Sequence, residues 1–324
     1  MESNKNIKLI AARLGLHDWQ VENTIRLMDD GASIPFIARY RKEMTGSLDE
    51  VRLLHIRDEY TRLKELDARR ETIIRTIEEQ EKMTPELRER IDAAVTMAEL
   101  EDIYLPYRPK RRTRATIARE KGLEPLAAII LEQKENDPLL KAEEFLNDMV
   151  KSVEEAVAGA SDIIAEWVSE DEKARKQLRR LYEKEAVIFS KVVKGKESEG
   201  IKFSDYFDWS EPLRKCPSHR LLAMRRGEDE GILRLSVEPD EKNAVDLLLS
   251  IFIRGKNASS ELVETAVRDS WKRLLASSME TEFRNISKEK ADHEAIEVFA
   301  DNLKQLLLAP PLGEKNVLAI DPGF

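Results

Sequence analysis

The long stretch between Gly46 and Pro85 constrains the fold most, because it contains neither glycine nor proline. Its apolar residues recur in alternating steps of three and four, the period of one buried face of an α-helix. They are Leu53, Ile56, Tyr60, Leu63, Ile74 and Ile77. The stretch therefore predicts a long central helix ending near Lys82, started by a Ser47–Glu50 capping box. Asp67 and Arg70 interrupt the apolar seam, and we expect a bend or a change of packing partner there.

The composition extends this prediction to the whole chain. Charged residues make up 36% of the 324 residues and hydrophobic residues 41%, with only 12 Gly and 12 Pro. The charged fraction lies well above the roughly 25% of ordinary soluble domains. Many helix-forming residues with few breakers predict a mainly α protein whose helices have one solvated face. The length allows two or three domains.

The N-terminal region predicts a pair of short helices. One spans Ile7 to Gly15 and the next spans Asp18 to Asp29, with the spacing of a helix-turn-helix. Two interpretations are open: DNA recognition, or a packed helical pair. Acids such as Asp18 and Glu22 on the would-be recognition helix repel phosphates, which favours the packed pair. The N-terminal region is thus expected to be a multi-helix domain that also contains the long central helix.

The second half of the chain predicts a different organisation. A charged helix is expected from Glu170 to about Val193, and the polar, glycine-bounded segment at residues 194–200 indicates a domain boundary. Alternating apolar residues between Gly231 and Glu238 predict a short strand within an otherwise helical region. We therefore expect domains at residues 1–195 and 196–312, with the start of a third at residues 313–324.

A basic segment between Arg108 and Lys121 is the most unusual local composition. Its seven basic residues and single acid, Glu120, give the segment a local charge of +6. Because the net charge of the whole chain is −9, the remaining residues together carry −15. With Tyr104 and Tyr107 beside it, the segment suits single-stranded nucleic acid, because phosphates meet arginine and bases stack on rings. It equally suits internal ties to the protein's own acidic helices through Arg–carboxylate pairs. A targeting signal is a third interpretation.

Several classes of site are not predicted. The four histidines are far apart in sequence, and the lone Cys216 offers neither a zinc site nor a disulfide. No phosphate-binding glycine motif occurs, so no cofactor, metal or catalytic set is expected. The longest strong apolar run, Leu247 to Ile253, is too short to span a membrane. The single cysteine and the polar N-terminus predict a cytoplasmic protein with no membrane partner.

Five segments, kept in order along the chain, carry a resemblance to a known family. They are IPFIARYRKEMTGSLDE, LEDIYLPYRPKRRTRATIAREKGLEPLA, VVKGKESEGIKFSDYFDWSEPL, PSHRLLAMRRGEDEG and the closing AIDPGF. With them the chain resembles the N-terminal part of the Tex family, bacterial transcription accessory proteins. The resemblance covers essentially the whole chain.

The resemblance implies that AIDPGF is the first strand of a YqgF domain, which has an RNase H-like fold. Helix-hairpin-helix elements and an OB-fold RNA-binding domain are expected to follow, so the chain is expected to be truncated at less than half of the family's length. Asp321 matches the first acidic position of RNase H-like nucleases. Such enzymes need several carboxylates to hold two metal ions, and the others are expected beyond Phe324. No nuclease activity is therefore expected from this chain.

These observations lead to three functional hypotheses. The first is a non-enzymatic, nucleic-acid-associated transcription accessory factor that binds RNA or DNA mainly through C-terminal domains. The second is a helical interaction module that docks transcription machinery, and the third is part of an RNase H-like nuclease. For the first hypothesis, the candidate nucleic-acid-binding residues are Lys110, Arg111, Arg112, Arg114, Arg119, Arg39, Arg41 and Lys42.

Overall fold

The computed structural model describes residues 2–109, 111–309, 315–316 and 318–320. Contacts divide the chain into two compact units, residues 1–109 and 110–324, and each has its own hydrophobic core. Helices dominate both units, and the sheet found in the described residues has three short strands. The prediction of a mainly α protein with a short β element is confirmed.

The N-terminal unit is built from helices packed around the long helix α5. Four helices precede α5 and two follow it, and a 3-10 turn closes the unit at Leu105–Tyr107. The helices are α1 Glu2–Leu14, α2 Asp18–Asp29, α3 Ile34–Tyr40, α4 Lys42–Thr45, α5 Glu50–Glu79, α6 Pro85–Ala93 and α7 Met97–Tyr104. The predicted pair and long central helix are therefore present.

The start of α5 differs from the predicted capping box. Asp49 is the N-cap, and its carboxylate accepts the backbone N–H of Arg52 at 2.8 Å. Ser47 instead lies just beyond α4 with a φ of 62°, so its backbone belongs to the turn that follows Gly46. Ser47 is thus two residues too early to cap α5, and the predicted Ser47–Glu50 capping box is wrong.

The polar interruption of the α5 seam marks a change of packing partner, as expected. Arg70 forms an ion pair with Asp67 and donates hydrogen bonds to the carbonyls of Ile91 and Ala94, at 3.2 and 2.9 Å. These carbonyls lie at the end of α6, where the helix leaves backbone acceptors without helical partners. Asn6 of α1 donates to the other side of Asp67. The break therefore joins α5 to both α1 and α6.

The C-terminal unit combines nine helices with the small sheet in its described part. Its helices are α8 Arg114–Glu120, α9 Glu124–Glu132, α10 Pro138–Glu143, α11 Val153–Glu170, α12 Glu172–Glu185, α13 Ser218–Asp229, α14 Glu241–Phe252, α15 Ala258–Ser270 and α16 Ala276–Leu308. A π-helical turn at Trp271–Leu275 joins α15 to α16. The strands are β1 Val187–Val192, β2 Asp208–Pro212 and β3 Leu233–Glu238.

The expected charged helix over residues 170–193 corresponds to α12, which begins at Glu172 close to the predicted start, but its predicted end is wrong because α12 ends at Glu185. Asp171 interrupts the helix and caps α12 by accepting the N–H of Ala174 at 2.7 Å. The chain then enters β1, which pairs antiparallel with β2 on one side and β3 on the other. A central strand is stabilised by partners that are distant in sequence, so local pattern does not predict it.

The division into units does not follow the expected boundary near residue 195. Strand β1 precedes that boundary, whereas β2 and β3 follow it, and one hydrophobic core runs from Ala115 to Ala291. The sequence-based domain limits stay a prediction. The expected third domain at residues 313–324 falls largely outside the described residues, and Asp321 is among those not described.

Helix α16 is buried in its first half and exposed in its second. Met279 and Phe283 pack into the core, and Phe283 stacks on Tyr182 with 4.9 Å between ring centroids. Beyond Ala291 every residue of α16 is half-buried or exposed, including Phe299, which is 67% exposed. No helix among the described residues combines the length and the apolar character needed to cross a membrane.

Candidate nucleic-acid interface

The basic segment follows the last turn of the N-terminal unit and runs into α8. Thr113 caps α8 by accepting the N–H of Thr116 at 3.0 Å, which places Arg114 at the first helical position. The first turn of α8 contains no acidic residue to balance the positive end of the helix dipole. The N-terminal end of α8 and the arginines before it therefore form a local concentration of positive charge.

Arg119 is an internal tie. Its Nη1 lies 2.6 Å from Oε1 of Glu166 on α11, and its Nε lies 3.2 Å from Oε1 of Glu124 on α9. Burial disfavours the charge on Arg119, but hydrogen bonds and attraction from Glu166 and Glu124 outweigh it and raise its pKa. Glu166 is buried and also accepts the hydroxyl of Thr113 at 3.2 Å. Arg119 thus stabilises the packing of α8 on α11.

Lys121 is a second internal tie. Its Nζ lies 2.5 Å from Oε1 of Glu155 in the first turn of α11. The hydrogen bond from Lys121 is the main reason that the pKa of Glu155 is lowered. The internal-docking interpretation of the basic segment therefore holds for its last two basic residues.

The preceding arginines are differently placed. Arg111, Arg112 and Arg114 are all exposed. Arg112 forms only a surface pair with Glu120 at 2.8 Å, in which both side chains are more than half exposed. Within the described part of the chain Arg111 and Arg114 have no ion-pair partner within 4 Å, although Arg114 attracts Asp162 at longer range. These three side chains are accessible to a phosphate, whereas Lys110 lies outside the described residues.

The two tyrosines beside the basic segment differ in how accessible they are for the predicted stacking role. Tyr104 is buried in the core of the N-terminal unit, under the guanidinium of Arg69 at 5.4 Å from its ring centroid. Tyr107 is half-buried and packs against the same core. The expectation that the ring stacks on bases is therefore wrong for Tyr104, which is a core residue, and stays a prediction for Tyr107.

Exposed aromatic rings occur instead beside the other group of candidate cations. Phe36 and Tyr40 lie on the outer face of α3, next to Arg39, and Arg41 and Lys42 follow directly. Arg39 and Lys42 are exposed and have no ion-pair partner in the described residues. The sequence carried the signal for this site, since two aromatics four residues apart share one face of a helix.

The polar residues of α2 favour the packed-pair interpretation of the N-terminal helices. Gln20 is buried and donates to the carbonyl of Thr45 at 3.1 Å, and Asn23 donates to the carbonyl of Met44 at 2.8 Å. Two side chains that would contact base edges in a recognition helix are thus engaged with α4.

The remaining candidates for chemistry are metal-ligating side chains and the thiol of Cys216. No group of three or more His, Cys, Asp and Glu residues is arranged to hold a metal ion in the described ranges. The thiol of Cys216 is half-buried beside Glu211, and burial together with that carboxylate raises its pKa to about 12.

Comparison with known proteins defines the family. Residues 4–78 match the Tex-like protein N-terminal domain, and residues 133–299 match the Tex central region-like family. The chain therefore belongs to the Tex family, which confirms the resemblance carried by its motifs.

Individual relatives agree with this membership over nearly the whole chain. The transcriptional accessory protein Tex of Neisseria gonorrhoeae is 42% identical over 98% of this chain and 43% of its own length. The uncharacterised protein YdcI of Bacillus subtilis is 41% identical over 100% of this chain and 46% of its own length. Human S1 RNA-binding domain-containing protein 1 is 28% identical over 98% of this chain and 33% of its own length. The chain thus spans less than half the length of these relatives.

Proposed function

We propose that this chain is a non-enzymatic, nucleic-acid-associated transcription accessory factor, and that its exposed arginines Arg111, Arg112 and Arg114 contact phosphates. The observation that carries the proposal is the division of the basic segment. Arg119 and Lys121 are tied to acids of α11, whereas the three arginines before them stay accessible. A relative named as a transcriptional accessory protein and one named for an RNA-binding domain support the same function.

We expect the three arginines to bind the phosphates of a nucleic acid without recognising its base sequence. Guanidinium groups on an exposed segment neutralise backbone charge and release counterions, so the affinity falls steeply with salt. The logarithm of the affinity changes with the logarithm of the salt concentration by about −0.7 to −0.9 per phosphate contact. Three arginines therefore account for a slope of about −2 to −3.

Fluorescence anisotropy tests the proposal with labelled single-stranded RNA and duplex DNA, titrated at several salt concentrations. The variant carries Arg111→Glu, Arg112→Glu and Arg114→Glu. We expect salt-sensitive binding by the natural chain and loss of both affinity and slope in the variant. Since none of these side chains forms a buried ion pair in the described structure, thermal unfolding of the variant should match that of the natural chain.

A matched control separates a local contact from net charge. Lys134, Lys184 and Lys290 have side chains that are 82%, 74% and 73% exposed, and none belongs to the basic segment. Changing all three to Glu alters the net charge as much as the arginine variant does. If this control loses binding equally, or if the arginine variant binds normally, Arg111, Arg112 and Arg114 are not the contact surface.

A second candidate function is a helical module that docks a protein of the transcription machinery. The exposed apolar residues in the second half of α16 favour it, and they are Ile296, Val298, Phe299, Leu303, Leu306, Leu307 and Leu308. Apolar docking is insensitive to salt, so binding to a partner protein that persists at high salt distinguishes it from phosphate contact.

The nuclease hypothesis has its own direct test. Labelled RNA and DNA incubated with this chain and Mg²⁺ should remain intact, because a two-metal reaction needs several convergent carboxylates. Cleavage that an Asp321→Asn variant abolishes would contradict the non-enzymatic proposal.

A further inference from the structure

The outer face of α3 displays two aromatic rings. Phe36 and Tyr40 are 40% and 59% exposed, and their ring centroids lie 5.3 Å apart with an interplanar angle of 43°. Helix α3 is anchored from below by Ile37 and Ala38, which are buried in the core. Ser33 caps its first turn by accepting the N–H of Phe36 at 3.4 Å. The rings are therefore held on an ordered helix, and both side chains remain exposed to solvent.

A guanidinium completes the group. The Cζ atom of Arg41 lies 5.1 Å from the ring centroid of Phe36, within the range of a cation–π contact. Its Nη1 donates to the backbone carbonyl of Tyr40 at 2.9 Å, which helps to hold the side chain beside the Phe36 ring. The planar guanidinium thus adds a third flat, polarisable surface.

The charge around these rings favours an anionic ligand. Between Ile34 and Gly46 there are three basic residues, Arg39, Arg41 and Lys42, and Glu43 is the single acid. Arg39 and Lys42 are exposed and have no described ion-pair partner. An apolar protein surface needs no such excess of cations, whereas a nucleic-acid strand presents phosphates next to each base.

We propose that Phe36, Tyr40 and Arg41 form a stacking platform for unpaired nucleobases, with Arg39 and Lys42 on the adjoining phosphates. This inference rests on the proposed nucleic-acid association and specifies the state of the strand. The bases of a duplex are already stacked on one another and offer no free faces, whereas a single strand offers one at every base. The platform therefore selects single strands without selecting a sequence.

The test compares a labelled oligouridine of about 10 nucleotides, within the usual size of such sites, with a duplex of the same length. Tyr40→Ala and Phe36→Ala are each expected to weaken binding of the single strand by about fivefold or more, the effect of removing one stacked base. Duplex affinity should stay unchanged. Tyr40→Phe should bind like the natural chain, because stacking needs the ring and not the hydroxyl.

Three further measurements address the specificity and the location of binding. Phe299→Ala removes a phenylalanine that is also exposed, but on α16, and should not affect affinity. The dependence on salt separates the two sites: Tyr40→Ala should keep the slope of the natural chain, whereas the triple arginine variant lowers it. Photo-crosslinking of a 4-thiouridine oligonucleotide should label the peptide that contains α3.

The outcomes distinguish this inference from the function on which it rests. If the arginine variant loses binding but Tyr40→Ala and Phe36→Ala do not, the platform is overturned and the proposed function stands. If the natural chain binds no oligonucleotide at low salt, both are overturned. If Tyr40→Ala weakens duplex and single strand equally, the selection of unpaired bases is refuted.

Discussion

Arg119 and Arg112 belong to the same basic segment, yet the structure predicts opposite consequences for replacing them with alanine. Arg119→Ala removes the cation in contact with Glu166, whose side chain is only 9% exposed. Arg112→Ala removes a pair with Glu120 in which the two side chains are 69% and 52% exposed. The first change therefore removes an ion pair from a buried carboxylate, whereas the second leaves Glu120, a charge that is already in water.

The expected magnitudes follow from this difference in burial. Breaking a fully buried pair by removing one partner costs about 3–5 kcal/mol. The Arg119 side chain is 27% exposed, so water replaces part of the lost interaction. We therefore expect Arg119→Ala to lower the free energy of unfolding by about 2–3 kcal/mol. The exposed pair of Arg112 contributes less than about 1 kcal/mol.

Urea unfolding followed by tryptophan fluorescence measures both changes in the relevant unit. Three of the four tryptophans, Trp167, Trp209 and Trp271, lie in the C-terminal unit, which also contains Arg119 and Arg112. The midpoint should fall for Arg119→Ala and stay nearly constant for Arg112→Ala. Equal losses of stability, or no loss for Arg119→Ala, would refute the division of the basic segment into internal ties and accessible arginines.

Three more predictions concern other parts of the C-terminal unit. Phe283→Ala should cost about 3–5 kcal/mol of unfolding free energy, whereas Phe299→Ala on the exposed half of α16 should change it by less than about 0.5 kcal/mol. Lys121→Met should raise the pKa of Glu155 toward its ordinary value in an NMR titration. Because the pKa of Glu155 is lower in the folded chain than in the unfolded chain, the stability that this pair contributes is present above the unfolded pKa and is lost as the pH falls through the folded pKa. Cys216 should react slowly with a thiol reagent at pH 8 in the native chain and quickly in urea, since its folded pKa is about 12.

Much of the fold is encoded locally. The predicted bounds of α2, Asp18 to Asp29, match the structure, and α6 begins with Thr84 as its N-cap and Pro85 at its first position. The polar break at Asp67 and Arg70 also marked a real change of packing partner. These features depend on helical period, capping and proline position, which act within a few residues and are therefore visible in the sequence.

The stacking candidates show where local pattern stops. Tyr104 and Tyr107 stand beside seven basic residues in sequence, but the hydrophobic core of the N-terminal unit claims Tyr104. Phe36 and Tyr40, in the apolar-rich motif IPFIARY, remain on the surface. Which face of a short helix is buried depends on its partners, and these are fixed by packing.

The sequence by itself determined that this chain is helical, which segments carry the family's motifs, and that one short segment concentrates positive charge. Tertiary structure decided that β1 is a strand, because its hydrogen bonds go to β2 and to β3, the latter reaching residues 233–238. It also decided which cations are free. Arg119 meets Glu166, 47 residues away, whereas Arg111 meets no acid among the described residues. The free energy of an ion depends on burial and on partners brought together by the fold, so identical residues in one run acquire different roles.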